Sequence, residues 1–338
     1  MDNYNQLKGA SSSLVDPFGR TIDYLRLSVT DRCNLRCTYC MAEDMTFLPR
    51  QQILSLEELR DLAVAFVELG IKKIRLTGGE PLVRKDIIKL VRSVANINGI
   101  EEVTMTTNGM LLPKMAQELR QAGLARLNIS VDSLKPDKFR AMTRNGDLAL
   151  WHKGIVAARK ANFTKIKLNT VILAGFNDDE VIDLANFAVR NKMDISFIEE
   201  MPLGSISSHD RAKTKISSAK IREKLEKKFD LIDSVETTGG PSRYLNILGS
   251  SSKIGFISPM PNNFCESCNR VRMTAEGRLL LCLGNEHSAD LRSVMRSHPG
   301  DQDLLKNEIL KALKSKPERH YFDPDKIDIV RFMNMTGG

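Results

Sequence analysis

The sequence predicts an α/β protein: an incomplete (β/α)6 TIM-like barrel over residues 17–205, followed by a C-terminal α+β extension over 206–338. Three observations carry this. Short β-rich runs alternate with helical patterns at a pitch of roughly thirty residues, the signature of βα units and a parallel sheet. Six such units occur, too few for a closed eight-stranded barrel. After about residue 205 the alternation gives way to a polar stretch, a helix near 216–229 and a hairpin pair, YLNILG and KIGFIS.

Taken in order, the runs are YLRLSV from Tyr24, KIRLTG from Lys73, VTMTTN from Val103, RLNISVD from Arg126, KIKLNTV from Lys165 and ISFIEEM from Ile195. Between the first two, Ser55 and Glu58 have capping-box spacing, and Leu56, Leu59, Leu62, Phe66 and Leu69 stripe one helical face. That stripe is core packing. Barrels of this kind keep their chemistry at the carboxyl ends of the strands. Here those ends read as a cysteine loop, TGGEP (77–81), TTNG (106–109), SVDS (130–133) and EEMPLG (199–204). Any one of these is an ordinary turn, but five on one rim mark a site.

The chain has 338 residues, 42% apolar and 27% charged, as in a soluble protein with a sizeable core. Its first twenty residues lack the apolar core of a secretory signal, and no stretch approaches a membrane helix, so a cytoplasmic protein is expected. A balance of 50 basic to 42 acidic residues, +8 overall, suits an anionic substrate. With neither G-x-x-x-x-G-K-[ST] nor G-x-G-x-x-G present, a nucleotide would be held by another device. The positive charge is scattered and aromatics are only 6%, which argues against nucleic-acid binding.

Six cysteines fall into two trios, and in a cytosolic chain they read as metal ligands rather than disulfides. Cys33, Cys37 and Cys40 sit in TDRCNLRCTYC directly after the first strand run. Three thiolates can hold three corners of a [4Fe–4S] cubane and leave the fourth iron open to a ligand. Zinc is the rival, but structural zinc wants four protein ligands, and no further His or Cys occurs in the next twenty residues. Downstream, Gly78 and Gly79 let backbone approach a ligand closely, and Glu80 suits an ammonium group.

The second trio, Cys265, Cys268 and Cys282, has a zinc-like C-x-x-C pair, and His287 is placed to complete a Cys₃His site. Arg270 and Arg272 alternate on a β-segment beside it, with Arg278 following. Two guanidiniums on one face bind phosphates or carboxylates, which tilts this trio from a structural toward a functional centre.

With Tyr39 before the last cysteine, the first trio completes Cys-x-x-x-Cys-x-aromatic-Cys and resembles the radical S-adenosylmethionine (SAM) superfamily. The barrel, the run FCESCNRVR, the third cysteine and the terminal Gly337 and Gly338 together resemble the GTP 3′,8-cyclase family of molybdenum cofactor biosynthesis, from about residue 17 to the end. The resemblance implies two [4Fe–4S] clusters, one on each trio, with SAM on the open iron of the first and GTP at the second. It implies SAM contacts at Tyr39, Gly79, Ser130 and Met201. GTP contacts are implied at Arg26, Arg75, Thr106, Lys167, Arg270 and Arg272, with the diglycine tail reaching toward substrate. The chemistry implied is reductive cleavage of SAM and cyclisation of GTP to (8S)-3′,8-cyclo-7,8-dihydroguanosine 5′-triphosphate.

The same resemblance implies a flavodoxin- or ferredoxin-like electron donor and a downstream cyclic pyranopterin monophosphate synthase, and leaves a homodimer open. Departures are small: Ala42 stands where a proline is common, and SPMPNNF precedes Cys265. Two other readings remain. One is a radical SAM enzyme acting on peptides or other small molecules, with the second cluster as an electron relay. The other is a zinc-stabilised nucleic-acid-binding protein.

Overall fold

The computed structural model describes residues 13–204, 206, 209–236, 239–259, 264–320, 322 and 329–337. The six β-rich runs form β1 (Tyr24–Ser28), β2 (Lys73–Thr77), β3 (Glu102–Thr107), β4 (Arg126–Ser130), β5 (Ile166–Ile172) and β6 (Asp194–Glu199). Between and after them lie α1 (Leu56–Glu68), α2 (Ile87–Ala95), α3 (Leu112–Gln121), α4 (Pro136–Thr143), α5 (Leu148–Lys160) and α6 (Val181–Arg190). The C-terminal part adds α7 (Arg211–Thr214), α8 (Ser218–Glu226), β7 (Leu231–Asp233), β8 (Arg243–Ile247), β9 (Lys253–Ile257), β10 (Arg270–Met273), β11 (Arg278–Leu280) and β12 (Ser288–Asp290). Three helices follow: α9 (Leu291–Ser297), α10 (Gln302–Leu313) and α11 (Met333–Thr336).

The capping box forms as expected: the Ser55 hydroxyl accepts from the Glu58 amide at 3.1 Å, and the Glu58 carboxylate accepts from the Ser55 amide at 2.7 Å. Leu59, Leu62, Phe66 and Leu69 from the helical stripe are buried, and Leu56 packs at the margin of the same core. The helix expected near 216–229 is shorter, starting at Ser218 because the Ser217 hydroxyl caps it.

Strand order is β12-β11-β10-β1-β2-β3-β4-β5-β6-β9-β8-β7. From β10 through β9 every neighbouring pair is parallel, so six strands from the first half are extended by one strand on each side from the second. The sheet stays open, making an incomplete barrel with antiparallel ribbons, β10–β11–β12 and β9–β8–β7, at its two flanks. The expected hairpin is present as β8 and β9, but β9 also joins the barrel edge beside β6. β10 does the same beside β1. No described helix is long and apolar enough to cross a membrane.

Alternation along the strands sorts the side chains. Leu25 and Leu27, Ile74 and Leu76, Leu127 and Ile129 are buried in the apolar core that holds the helices on the sheet. Their neighbours Tyr24, Arg26, Arg75, Asn128, Lys167 and Asn169 face the barrel interior and line its cavity. A parallel sheet covered on both faces is ordinarily apolar throughout. A polar interior here is therefore a cavity meant to be filled.

Candidate active site

The cavity encloses about 1650 Å³, open mouth included. Cys33, Cys37 and Cys40 line it together with Tyr39, Gly79, Ser130 and Met201, the four positions expected at SAM. Arg26, Arg75, Thr106, Lys167 and Arg272, expected at GTP, line it too. Arg270 is not in this lining. It is buried between the cavity and the second trio, its guanidinium 5.7 Å from the Phe264 ring centroid.

The cysteine loop is held from two sides. The Arg36 and Thr38 amides donate to Thr143 and Met142 carbonyls at the end of α4, at 3.0 and 2.9 Å. On the other side the Gly79 and Glu80 amides donate to the Thr30 and Arg32 carbonyls, both at 2.8 Å. A β-carbon on Gly78 would lie 2.3 Å from the Thr30 oxygen, and one on Gly79 would lie 2.4 Å from the Arg32 oxygen. The glycines thus make room for the backbone of the cysteine loop itself, while both also line the cavity.

The buried carboxyl of Glu80 accepts from the Thr107 hydroxyl at 2.7 Å, the Asn108 amide at 2.6 Å and the Leu82 amide at 3.0 Å. It ties the second βα loop to the third. Burial pushes this carboxyl up to about 7, against the pull of those bonds.

None of the first-trio cysteines is in a disulfide. Burial drives Cys33 up to about 11, Cys40 up to about 12 and Cys37 well above its ordinary value. Thiols so placed become thiolates only against a strong positive partner, as cluster irons provide. Among the described residues no three His, Cys, Asp or Glu converge on a single ion. A cubane presents a separate iron to each thiolate and requires no such convergence. Tyr39 is fixed by its hydroxyl, which donates to Asp132 at 2.7 Å, while the other Asp132 oxygen accepts from the Val171 amide.

Across the interior, register sets three cations abreast: Arg26 is the partner of Arg75 on one side and of Arg272 on the other. Burial and then the Arg272 charge hold Arg26 well below its ordinary value, and burial followed by Arg270 pushes Arg272 down to about 10. Burial also lowers Lys167. Burial raises the Tyr24 phenol, but Arg75, Arg26, Arg270 and Lys167 around it more than offset this and leave it lowered. The Tyr24 hydroxyl, Thr106 Oγ1, both amide atoms of Asn128 and Asn169 Oδ1 are buried without a hydrogen-bond partner. Unsatisfied polar atoms facing one space fit a polar, anionic occupant.

The Gly337 carbonyl accepts from Arg272 at 2.7 Å and from Arg26 at 3.1 Å. With φ of 75° and a β-carbon position only 2.3 Å from Thr77, residue 337 must be glycine. Gly338 lies outside the described residues.

Cys265, Cys268 and Cys282 gather outside the cavity lining, at the foot of the β10–β11 ribbon. His287 is exposed, its amide turned to Asn285; the histidine beside this trio is His320, whose amide donates to Cys265 Sγ at 3.3 Å. Burial raises Cys268, yet Lys316 and Arg270 more than offset it and hold the thiol below its ordinary value. Sequence reasoning missed Tyr24, Asp132, Asn128, Asn169 and Lys316. Asn128 and Asn169 carried a signal, a polar side chain at the inward positions of otherwise apolar strands. Lys316 carried none.

Residues 27–188 match the radical SAM superfamily and residues 193–322 match the Molybdenum Cofactor Synthesis C family. A GTP 3′,8-cyclase of Marinobacter nauticus is 59% identical over 326 residues, covering 96% of this chain and 98% of that protein. One from Pseudomonas putida is 58% identical over 330 residues, covering 97% and 99%. The crystal structure of Streptococcus suis SuiB bound to S-adenosylmethionine superposes with a TM-score of 0.57 at 14% identity, covering 87% of this chain and 68% of that one. That last likeness is one of fold.

Two expected outcomes follow from the rim geometry. Gly79→Ala forces the Arg32 carbonyl away, so the reconstituted variant holds less iron on the first trio and binds SAM at least about tenfold more weakly. Iron analysis and calorimetry check it. For Glu80, the native carboxyl holds its proton up to about 7, whereas the unfolded chain releases it near the ordinary 4.5. Stability therefore falls as pH rises through that window, by up to about 1.4 kcal/mol per unit, and levels off above it. Chemical unfolding of Glu80→Gln under argon between pH 5.5 and 8 lacks this slope.

Proposed function

The chain belongs to the GTP 3′,8-cyclase family, and we propose that its barrel holds SAM and GTP on the residues described, each beside its own cysteine trio. It is a radical SAM lyase with two [4Fe–4S] clusters and SAM as cofactors. It converts GTP to (8S)-3′,8-cyclo-7,8-dihydroguanosine 5′-triphosphate, the first step of molybdenum cofactor biosynthesis. When bound and reduced, the first cluster supplies the electron that cleaves SAM to the 5′-deoxyadenosyl radical. The observation that carries the assignment of substrate is the row Arg272, Arg26 and Arg75, three register-locked guanidiniums facing the same cavity as Cys33, Cys37 and Cys40.

In this reading Cys33, Cys37 and Cys40 ligate the first cluster, and Cys265, Cys268 and Cys282 the second. Tyr39, Gly79, Ser130 and Met201 receive SAM, the Tyr39 ring held still by Asp132. Arg26, Arg75, Lys167, Arg270 and Arg272 neutralise and orient the triphosphate, with Thr106, Asn128 and Asn169 as hydrogen-bonding partners. Strands that exclude bulk water around such contacts make each one stronger. Gly337, already bonded to Arg26 and Arg272, would place the tail with Gly338 against the substrate and steer it. We assign residues 17–205 to the radical SAM barrel and 206–338 to the substrate-side extension, in a cytoplasmic enzyme. A small flavodoxin- or ferredoxin-like protein would bring the electron, and a cyclic pyranopterin monophosphate synthase would take the product.

Anaerobic incubation of the reconstituted chain with SAM, dithionite and GTP is expected to give 5′-deoxyadenosine and a cyclised GTP isomer by mass analysis, and Cys37→Ala neither. 5′-Deoxyadenosine formed normally by Cys37→Ala would refute the first-cluster assignment. Replacing Arg272 by Met removes a half-buried charge from beside Arg26, so the ligand-free chain melts no lower than the parent. GTP affinity nevertheless falls tenfold or more, since a charge-assisted contact contributes about 1.5–3 kcal/mol, while SAM affinity is unchanged. Calorimetry with each ligand, beside a melting curve, separates the two effects.

A further inference from the structure

Lys316 is 3% exposed, far from any motif in the sequence, and its ammonium serves three acceptors. It lies 3.7 Å from Cys268 Sγ, 3.1 Å from the Arg270 carbonyl and 2.5 Å from the Leu281 carbonyl. Its position follows from the ribbon. β10 and β11 pair Arg272 with Leu280 and Met273 with Leu279, and extending that register by two residues brings Arg270 opposite Cys282. Cross-strand pairing stops short of that point, and Lys316 supplies the donors to the carbonyls left over there.

The segment that carries it is anchored independently. Arg20 donates to the Cys265 carbonyl at 2.8 Å, the Glu318 carbonyl at 2.6 Å and the Pro317 carbonyl at 2.7 Å. The same segment ends in the His320 amide on Cys265. One short strap after α10 thus brings a fixed positive charge to one cysteine of the second trio and an N–H donor to another.

We propose that Lys316 is a positioning residue for the second cluster: it sets the spacing of Cys268 and Cys282, orients Arg270, and raises the reduction potential of the cluster bound there. The inference rests on the assignment of Cys265, Cys268 and Cys282 to that cluster. Reduction adds negative charge to a centre bound by three thiolates. A buried ammonium within reach of a ligating sulfur favours the reduced form, because net charge and hydrogen bonds to sulfur govern such potentials. The role needs both the charge and the reach of the side chain.

The test is an anaerobic redox titration of the full-length holoenzyme followed by electron paramagnetic resonance, with iron counted in parallel. The second-cluster signal is identified as the one lost in Cys268→Ala. If Cys268→Ala keeps all its iron and both signals, the assignment of the trio fails, whatever Lys316 does. With the assignment standing, Lys316→Met is expected to cut the reduced-to-oxidised ratio of that signal at the parent midpoint tenfold or more, 59 mV for one electron, with the first cluster unmoved. Lys316→Arg, which keeps the charge, restores most of it. An unchanged midpoint in Lys316→Met overturns the proposal. Should Lys316→Met lose the second cluster altogether, Lys316→Arg decides: recovery of iron and midpoint supports the role, and failure to recover either reduces Lys316 to packing.

Discussion

Three guanidiniums side by side, Arg26 and Arg75 buried and Arg272 half-buried, are the constraint around which this molecule is arranged. Arg272, Arg26 and Arg75 share one level of the sheet because β10, β1 and β2 are parallel neighbours in fixed register, and neighbouring strands stand about 4.8 Å apart. Like charges on adjacent strands, largely out of water, oppose folding. The ligand-free structure softens the cost with the Gly337 carbonyl, the Thr104 hydroxyl on Arg75 and the Tyr24 ring beneath it. In the proposed function the substrate's triphosphate would offset it, which would let the strands themselves carry the charge with no glycine-rich phosphate loop.

The rim shows a second economy, in which each loop is the support of the next. The cysteine loop rests on the Gly78–Gly79 backbone, and Glu80 then turns away from the cavity to fasten the following loop through Thr107 and Asn108. Asn108 reaches back with its side-chain amide to Asn34 at 2.8 Å, within the cysteine loop. Asn334 of α11 donates to the Asp31 carbonyl at 2.9 Å, so α11 closes over the loop that follows β1. Three cysteines are thus held in place by backbone contacts from several elements.

The C-terminal part is bound into the barrel and does not lie beside it as a separate layer. β9 and β10 widen the parallel sheet at opposite edges, and β10 brings Arg272 to the cavity from the same ribbon whose foot carries Cys268 and Cys282. One stretch of backbone therefore carries both a cavity cation and part of the second trio.

Much of this was legible in the residues. Period-two runs at βα spacing located all six strands from β1 to β6, the Ser55 and Glu58 pair located the start of α1, and two arginines two apart located an inward face on β10. These are local signals, decided by sterics and burial within a few residues. The cysteine spacings likewise announced cluster chemistry, because a cubane constrains its own ligands. What the sequence could not decide is where distant segments meet. Nothing local to Glu80 announced that its carboxylate also ties the second βα loop to the third, through Thr107 and Asn108. Nothing in the sequence marked Lys316, which is placed only where the strap after α10 closes on the ribbon. Nor could any local pattern say that β1 and β10, whose paired residues Tyr24 and Arg270 lie far apart in the chain, would be neighbours. Such contacts depend on chain closure over long loops and on the fit of whole faces, and these exist only once the tertiary structure has formed.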